Sequence, residues 1–388
     1  MTVIKDIFKI TKGKKEEETD ILEGSFKRYI QIEDLRHNEN LKYCIPNKKS
    51  VRVNKSDLII AWDGANAGTI GVGLEGVIGS TLAKLELKNA SVNPYYAARF
   101  LQSKFQYLRD SCTGATIPHI SKTVLENLSL PLPTFETQKK IVEVLDRVRG
   151  LIDVRKEQIR LMNELIDSLL NSKVGPKSAD YESWKSVQIK DVVKPGKNNM
   201  RTGPFGSDLL HSEFVSEGVY VLGIDNVVTN RFNWGKERYI TQDKYMKLKR
   251  YTVFPGDVLI SIMGTTGRSA VVPDNIPLAI NSKHLACITP DINIIHPLFL
   301  SLSITKNQNI LRQIKMRNKG AIMNGLNLGI IKELELKLPP IEDQNEFAKV
   351  FMLISEQIGK ICKSLSLMEE KFEGISQKAF TGDLFGGD

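Results

Sequence analysis

Two stretches of this chain match each other at a constant offset of 206 residues, and the match runs without a gap for more than fifty residues. Gly114-Ala115 returns as Gly320-Ala321. Leu128, Leu130, Leu132, Pro133, Glu136, Gln138 and Val144 return as Leu334, Leu336, Leu338, Pro339, Glu342, Gln344 and Val350. Met162 and Glu164 return as Met368 and Glu370. Upstream the register slips, but Asp57-Leu-Ile-Ile with Gly64 and Gly68 still parallels Asp257-Val-Leu-Ile with Gly264 and Gly267, and Ile4-Lys5-Asp6 parallels Ile189-Lys190-Asp191. Self-similarity at a fixed offset over such a length is the mark of a duplication, so the chain must fold as two copies of one plan.

Each copy changes period part-way. The front part carries short apolar runs broken by Gly, Asn and Pro, such as Leu58–Trp62 and Val258–Ile262. These read as buried strands joined by turns. Alternation closes each front part, with Leu128–Leu132 and Leu334–Leu338 expected as half-buried strands. Beyond them a +4, +3 repeat begins: Ile141, Leu145, Val148, Ile152, Ile159, Met162, Ile166 and Leu169, interrupted only by Arg155. The second copy gives Phe347, Phe351, Ile354, Ile358, Ile361, Leu365, Met368, Phe372 and Ile375. A 3.5-residue repeat held over four heptads predicts a coiled-coil seam. Pro133 and Pro339-Pro340 stand before the helices, acids Glu136, Glu342 and Asp343 fall in their first turns, and Lys173-Val-Gly175-Pro176 stops the first. The fold expected is α+β: a tandem duplication of a mixed, strand-rich domain plus a long helix. The two helices form a coiled coil, antiparallel if the copies are related by a pseudo-two-fold, with parallel packing left open. The expected boundaries are 1–133, 134–173, 174–338 and 339–388.

Composition narrows the class. Hydrophobic residues at 41% and charged residues at 26% of 388 suit a soluble globular protein of two or three domains. The formal charge of +9 favours a polyanionic partner. Cys44, Cys112, Cys287 and Cys362 lie far apart without a CxxC pair, so neither a disulfide framework nor a zinc site is expected and a cytoplasmic setting fits. No apolar run approaches the ~20 residues of a membrane helix, so no membrane partner is expected.

Motifs that could carry chemistry favour structural readings. Gly71-Val-Gly73-Leu-Glu-Gly76 matches a dinucleotide-binding pattern, but the residues after it do not start a helix, so a glycine-bearing strand turn is expected. Asn93-Pro-Tyr-Tyr96 is similar to the base-holding motif of adenine methyltransferases but lacks its second proline, and it reads as the start of a helix from Tyr95 to Tyr107. Glu335-Leu-Lys337 could be half a nuclease metal site, yet it sits in a repeated alternating strand. There is no Walker A loop, and the five histidines form neither HExxH nor a triad order. Neither a catalytic centre, a metal site nor a cofactor is expected.

Nucleic-acid binding has better support. Basic and amide residues gather in glycine-bearing segments: Lys12, Lys14, Lys15 and Arg28 in the first copy; Lys197, Asn199, Arg201, Arg231, Arg238 and Arg268 in the second. Lys and Arg neutralise phosphates, Arg can grip guanine O6 and N7, and Asn pairs with adenine. The seam from 141 to 169 spans about 42 Å at 1.5 Å per residue, somewhat more than one ~34 Å turn of B-DNA. The expected geometry is two globular heads held apart by a two-helix rod.

Together, the duplicated front domain, the repeated Gly-Ala pair, the Pro-Leu-Pro…Glu-x-Gln helix entry and the heptad helix resemble the DNA-specificity subunit of type I restriction–modification systems. Gly203-Pro-Phe-Gly-Ser207, Pro255-Gly-Asp-Val-Leu259 and Met263-Gly-Thr-Thr-Gly-Arg268 also look like that family's target-recognition domain, whereas the first copy has no match to Trp184. The resemblance implies that 1–133 and 174–338 are target-recognition domains and that 134–173 and 339–388 are spacer helices. It implies a non-catalytic, cytoplasmic subunit that reads a bipartite, asymmetric double-stranded DNA target. Two methyltransferase subunits and a restriction motor subunit would be its partners, and the cofactors would be theirs. The alternatives are a non-catalytic coiled-coil adaptor for protein partners and an enzyme with an unrecognised site.

Overall fold

A computed structural model describes residues 2–21, 24–37, 39–114, 116–317 and 326–384. Ala115, Gly320 and Ala321 of the repeated Gly-Ala pair lie outside these. The chain divides into two compact units, Met1–Gln158 with Ile361–Asp388, and Ile159–Lys360.

The first unit is built on two small sheets. One runs Phe8–Lys12, Leu82–Leu87, Leu58–Ala61, Ile70–Val72, antiparallel throughout. The other runs Lys42–Cys44, Lys27–Ile30, Gly76–Ile78, Arg52–Val53, with one parallel pair that sets Tyr29 beside Val77. The second unit repeats this order: Met200–Thr202, Leu285–Ile288, Val258–Ser261, Ser269–Val271, and then Tyr239–Ile240, Val219–Leu222, Ala279–Asn281, Thr252–Val253. Its parallel pair sets Tyr220 beside Ala279. Central strands are buried on both faces, which is why Leu58–Ala61 and Val258–Ser261 are almost wholly apolar. The helix Gln242–Leu248 sits between the second unit's edge hairpin and Thr252–Val253, where the described residues of the first unit have no α-helix.

The turn before each central strand is closed by a buried acid. Asp57 accepts from the Asn54 amide at 2.8 Å and pairs with Lys84 at 3.1 Å. Asp257 accepts from the Phe254 amide at 3.0 Å and pairs with Arg201 at 2.9 Å. A buried carboxylate needs both partners to offset its lost hydration.

Several local expectations are refined. Of Leu128–Leu132 only Ser129–Leu130 forms a strand, pairing with Thr2–Val3, because Pro131 has no N–H to extend the ladder. Glu335–Leu338 makes four pairs with Lys185–Gln188. Lys337 there donates to the carbonyls of Glu182 and Trp184, both at 3.1 Å, so it braces the ladder. The helix expected from Tyr95 to Tyr107 is two, Pro94–Ser103 and Phe105–Asp110, and Asn93 caps the first by accepting from the Tyr95 amide at 2.9 Å. Gly71–Gly76 joins strand to strand, with Gly73 at φ +79° in the turn, as the sequence indicated.

The long helices are Phe135–Lys173 and Ile341–Thr381. All seventeen seam residues are buried or half-buried, whereas Leu151, Val154, Leu161 and Leu165, off the seam, are about half exposed. Pairing is antiparallel. In the first unit Ile141 and Leu145 share a core with Phe372, Ile375, Ala379 and Phe380. In the second, Leu169, Leu170 and Val174 share a core with Phe347 and Phe351. The first turn of each helix is tied down by the repeated glutamine. Gln138 accepts from the Asn93 amide at 2.8 Å and donates to Ser91 and Pro133 carbonyls; Gln344 accepts from the His296 amide at 2.9 Å and donates to Ile294 and Pro339 carbonyls. Both side chains are buried, and each bond satisfies a backbone group that the interior would otherwise leave unpaired.

Phe380 packs on Tyr96 and Phe100 at ring-centroid distances of 5.5 and 5.4 Å. Phe380→Ala should therefore destabilise the first unit by about 3–5 kcal/mol, although it lies near the far end of the chain. Hydrogen exchange of the Pro94–Ser103 helix should rise with that of Pro297–Lys306 unchanged; unchanged exchange in both would show that the contact does not hold the first unit together.

Candidate nucleic-acid interface

In the first unit Lys12, Lys14 and Lys15 follow one another off the end of an edge strand. Lys12 reaches Asp63 at 2.8 Å, and His119 Nδ1 lies 2.6 Å from the other oxygen of that carboxylate. Burial pushes the Asp63 carboxyl up, but the hydrogen bonds and charges of Lys12 and His119 outweigh it and hold the group below its ordinary value. Lys14 and Lys15 are exposed. Arg28 is half-buried and ion-paired with Asp34 at 2.8 Å, so its charge is partly neutralised.

The second unit treats its predicted residues unequally. Lys197 is exposed on the loop before Met200–Thr202, but Asn199 is spent on that loop itself, donating to the carbonyls of Lys194 at 2.8 Å and Pro195 at 3.1 Å. Arg201 is 7% exposed. Its guanidinium donates to Asp257, to the Asn198 carbonyl at 2.9 Å and to the Thr252 carbonyl. The expectation that Arg201 faces DNA is corrected on that ground: it answers the buried acid before the central strand, as Lys84 does in the first unit. Arg231 and Arg268 are exposed on loops joined by a hydrogen bond from the Ser269 amide to Asn230 at 3.4 Å.

The concave feature of the second unit was not legible as such. A cavity of about 600 Å³ is lined by Pro204, Phe214, Ile224, Lys236, Arg238 and His284, among others. Arg238 pairs with Asp225 at 2.5 Å, and Asp225 also accepts from the Lys236 amide at 2.5 Å. Burial raises the Asp225 carboxyl, but these donors and the Arg238 charge bring it below its ordinary value. His284 is held below the usual imidazole value by burial first, then by the charges of Lys283 and Arg238, which favours the neutral ring with one donor and one acceptor. The Oγ of Ser282, the hydroxyl in this lining, is buried and makes no hydrogen bond to His211, His284 or any other described residue. The polar lining sets the donors Lys236, Arg238 and Lys283 beside the carboxylates of Asp225 and Glu237.

Arg201→Ala should destabilise the second unit by about 3–5 kcal/mol, because it strands Asp257 without its cation. Denaturant unfolding measures this directly. A fully stable variant with altered DNA preference would return Arg201 to the interface.

Comparison with known proteins bears on this surface. The sequence profile described as "Type I restriction modification DNA specificity domain" matches residues 1–163 and 181–360. The type I restriction enzyme MjaVIII specificity subunit of Methanocaldococcus jannaschii is 30% identical over 276 residues, 67% of this chain and 62% of that protein. The match therefore spans a little under two thirds of that relative's length. The EcoBI specificity subunit of Escherichia coli is 22% identical over 383 residues, 92% of this chain and 79% of that protein. Among solved structures, the type I restriction–modification S subunit from M. genitalium aligns with a TM-score of 0.60 at 16% identity, covering 98% of this chain and 95% of that one. No helix among the described residues is long and apolar enough to cross a membrane.

Proposed function

The chain belongs to the type I restriction–modification DNA specificity family, and from that premise we propose that each of its two units reads one half of a split double-stranded DNA target. The observation that carries this reading is the contrast between scaffold and surface. Strand order, buried acid and glutamine anchor are the same in both units, while the exposed loops differ in length, charge and residue type. A shared scaffold with divergent surfaces suits two related heads with different half-sites, and hence an asymmetric target.

Lys14, Lys15, Lys197, Arg231 and Arg268 are the proposed phosphate contacts, with Lys12 and Arg28 weaker ones because Asp63 and Asp34 oppose their charges. Such contacts give salt-dependent affinity and fix register, while a few base-edge contacts give specificity. Covalent linkage of two modest sites raises affinity through effective concentration. The chain performs no catalysis in this reading: two methyltransferase subunits and a restriction motor subunit, in the cytoplasm, supply the chemistry and its cofactors. The helices set the unread gap between half-sites.

Inserting one heptad into both 141–169 and 347–375 should lengthen the selected gap and leave both half-sites unchanged. Duplex selection with the assembled methyltransferase complex reads this out. A selected gap that stays at its original length would refute the helices as the ruler.

A further inference from the structure

We propose that the second unit reads a guanine through Arg238, held in place by Asp225, at the mouth of the cleft beside the Val219–Leu222 strand. This deepens, and rests on, the reading that the units bind DNA. Arg238 carries five N–H donors in one plane. Asp225 takes one from Nη2 at 2.5 Å and the Val221 carbonyl takes the Nε hydrogen at 3.4 Å. Among the described residues no other acceptor bonds this guanidinium, so the Nη1 side of the fork is left to a ligand.

The pair is set in a place cut to fit it. A Cβ on Gly223 would lie 2.4 Å from Arg238 Nη2, and one on Gly235 would lie 2.1 Å from an Asp225 oxygen. Gly223 has φ −126°, an ordinary value, so a side chain there would act by displacing the end of Arg238 and not through backbone conformation. The Lys236 amide holds the second Asp225 oxygen at 2.5 Å. Two glycines, a backbone donor and a carboxylate thus fix one arginine that is 26% exposed at a cavity wall.

That arrangement selects the ligand. Asp225 cancels most of the charge that would draw Arg238 to a phosphate, but leaves the direction of its remaining donors fixed. Fixed donors without net charge discriminate by hydrogen bonding, and guanine is the base that presents two acceptors, O6 and N7, on its major-groove edge. Lys236 and His284 line the same cavity. At the matching hairpin of the first unit, Lys27–Ile30 with Lys42–Cys44, the cleft is lined instead mainly by Asp20, Gln31, Glu33, Asp34 and Glu39. This arginine–carboxylate device therefore belongs to the second unit's cleft and is not repeated in the matching cleft of the first.

The test uses the full chain in its methyltransferase complex. Wild type is first put through duplex selection, then bound to the selected site with 7-deazaguanine replacing each guanine in turn. At one guanine of one half-site, loss of N7 should weaken wild type about tenfold or more, and Arg238→Ala should be indifferent to that replacement. Arg238→Lys should not restore the preference, since a point charge lacks the fork. A uniform loss by Arg238→Ala across all sequences would make it a phosphate contact and overturn the inference. So would a wild type insensitive to every deaza replacement, a result that needs no variant to fold. If wild type selects no split site at all, the DNA-binding reading itself falls, and the inference with it.

Discussion

Neither copy completes its own core. The first unit's interior closes only when Phe372, Ile375, Ala379 and Phe380, from the last turns of the second copy's helix, pack with Ile141 and Leu145. The second unit's interior takes in Leu169 and Leu170 from the first copy's helix and Val174 just past its end, beside its own Phe347 and Phe351. This exchange is what antiparallel pairing of two equivalent helices imposes, and everything else is hung on it. A single copy alone would leave one helix face and one core open. Apolar area removed from water on this scale is the dominant stabilising term, at about 25 cal/mol per Å².

On that frame, polar anchors do the local positioning. Gln138 and Gln344 lock the helix entries to loops preceding Pro94–Ser103 and Pro297–Lys306, each through three backbone groups. Asp57 and Asp257 lock the turns before the central strands. These four side chains are buried and bonded to the scaffold's own backbone. The loops between them differ: a carboxylate-rich cleft in one unit stands where the other sets an arginine, two lysines and two histidines beside Asp225 and Glu237.

Much of this was legible in the sequence, for identifiable reasons. The seam is periodic, and a sustained 3.5-residue repeat of apolar residues places one stripe along one helix face, a pattern that strands and loops do not produce. The repeated Glu-x-Gln could be seen, though its buried role needed the three backbone partners to come into view. Arg201 misled because a basic residue in a basic loop reads as surface until its partner is known, and Asp257 lies 56 residues away. Arg238 carried the opposite problem. Its meaning depends on Asp225, 13 residues earlier, and on the room left by Gly223 and Gly235, which no spacing rule exposes. The break at Lys104 between two helices had no sequence signal that we can identify.

The central claim is that two related units read two different half-sites. Selection of bound duplexes from a random library, with the full chain in its methyltransferase complex, tests it most directly. Two unlike short motifs at one fixed separation are expected. Two identical motifs, a single motif, or no enrichment would each contradict it.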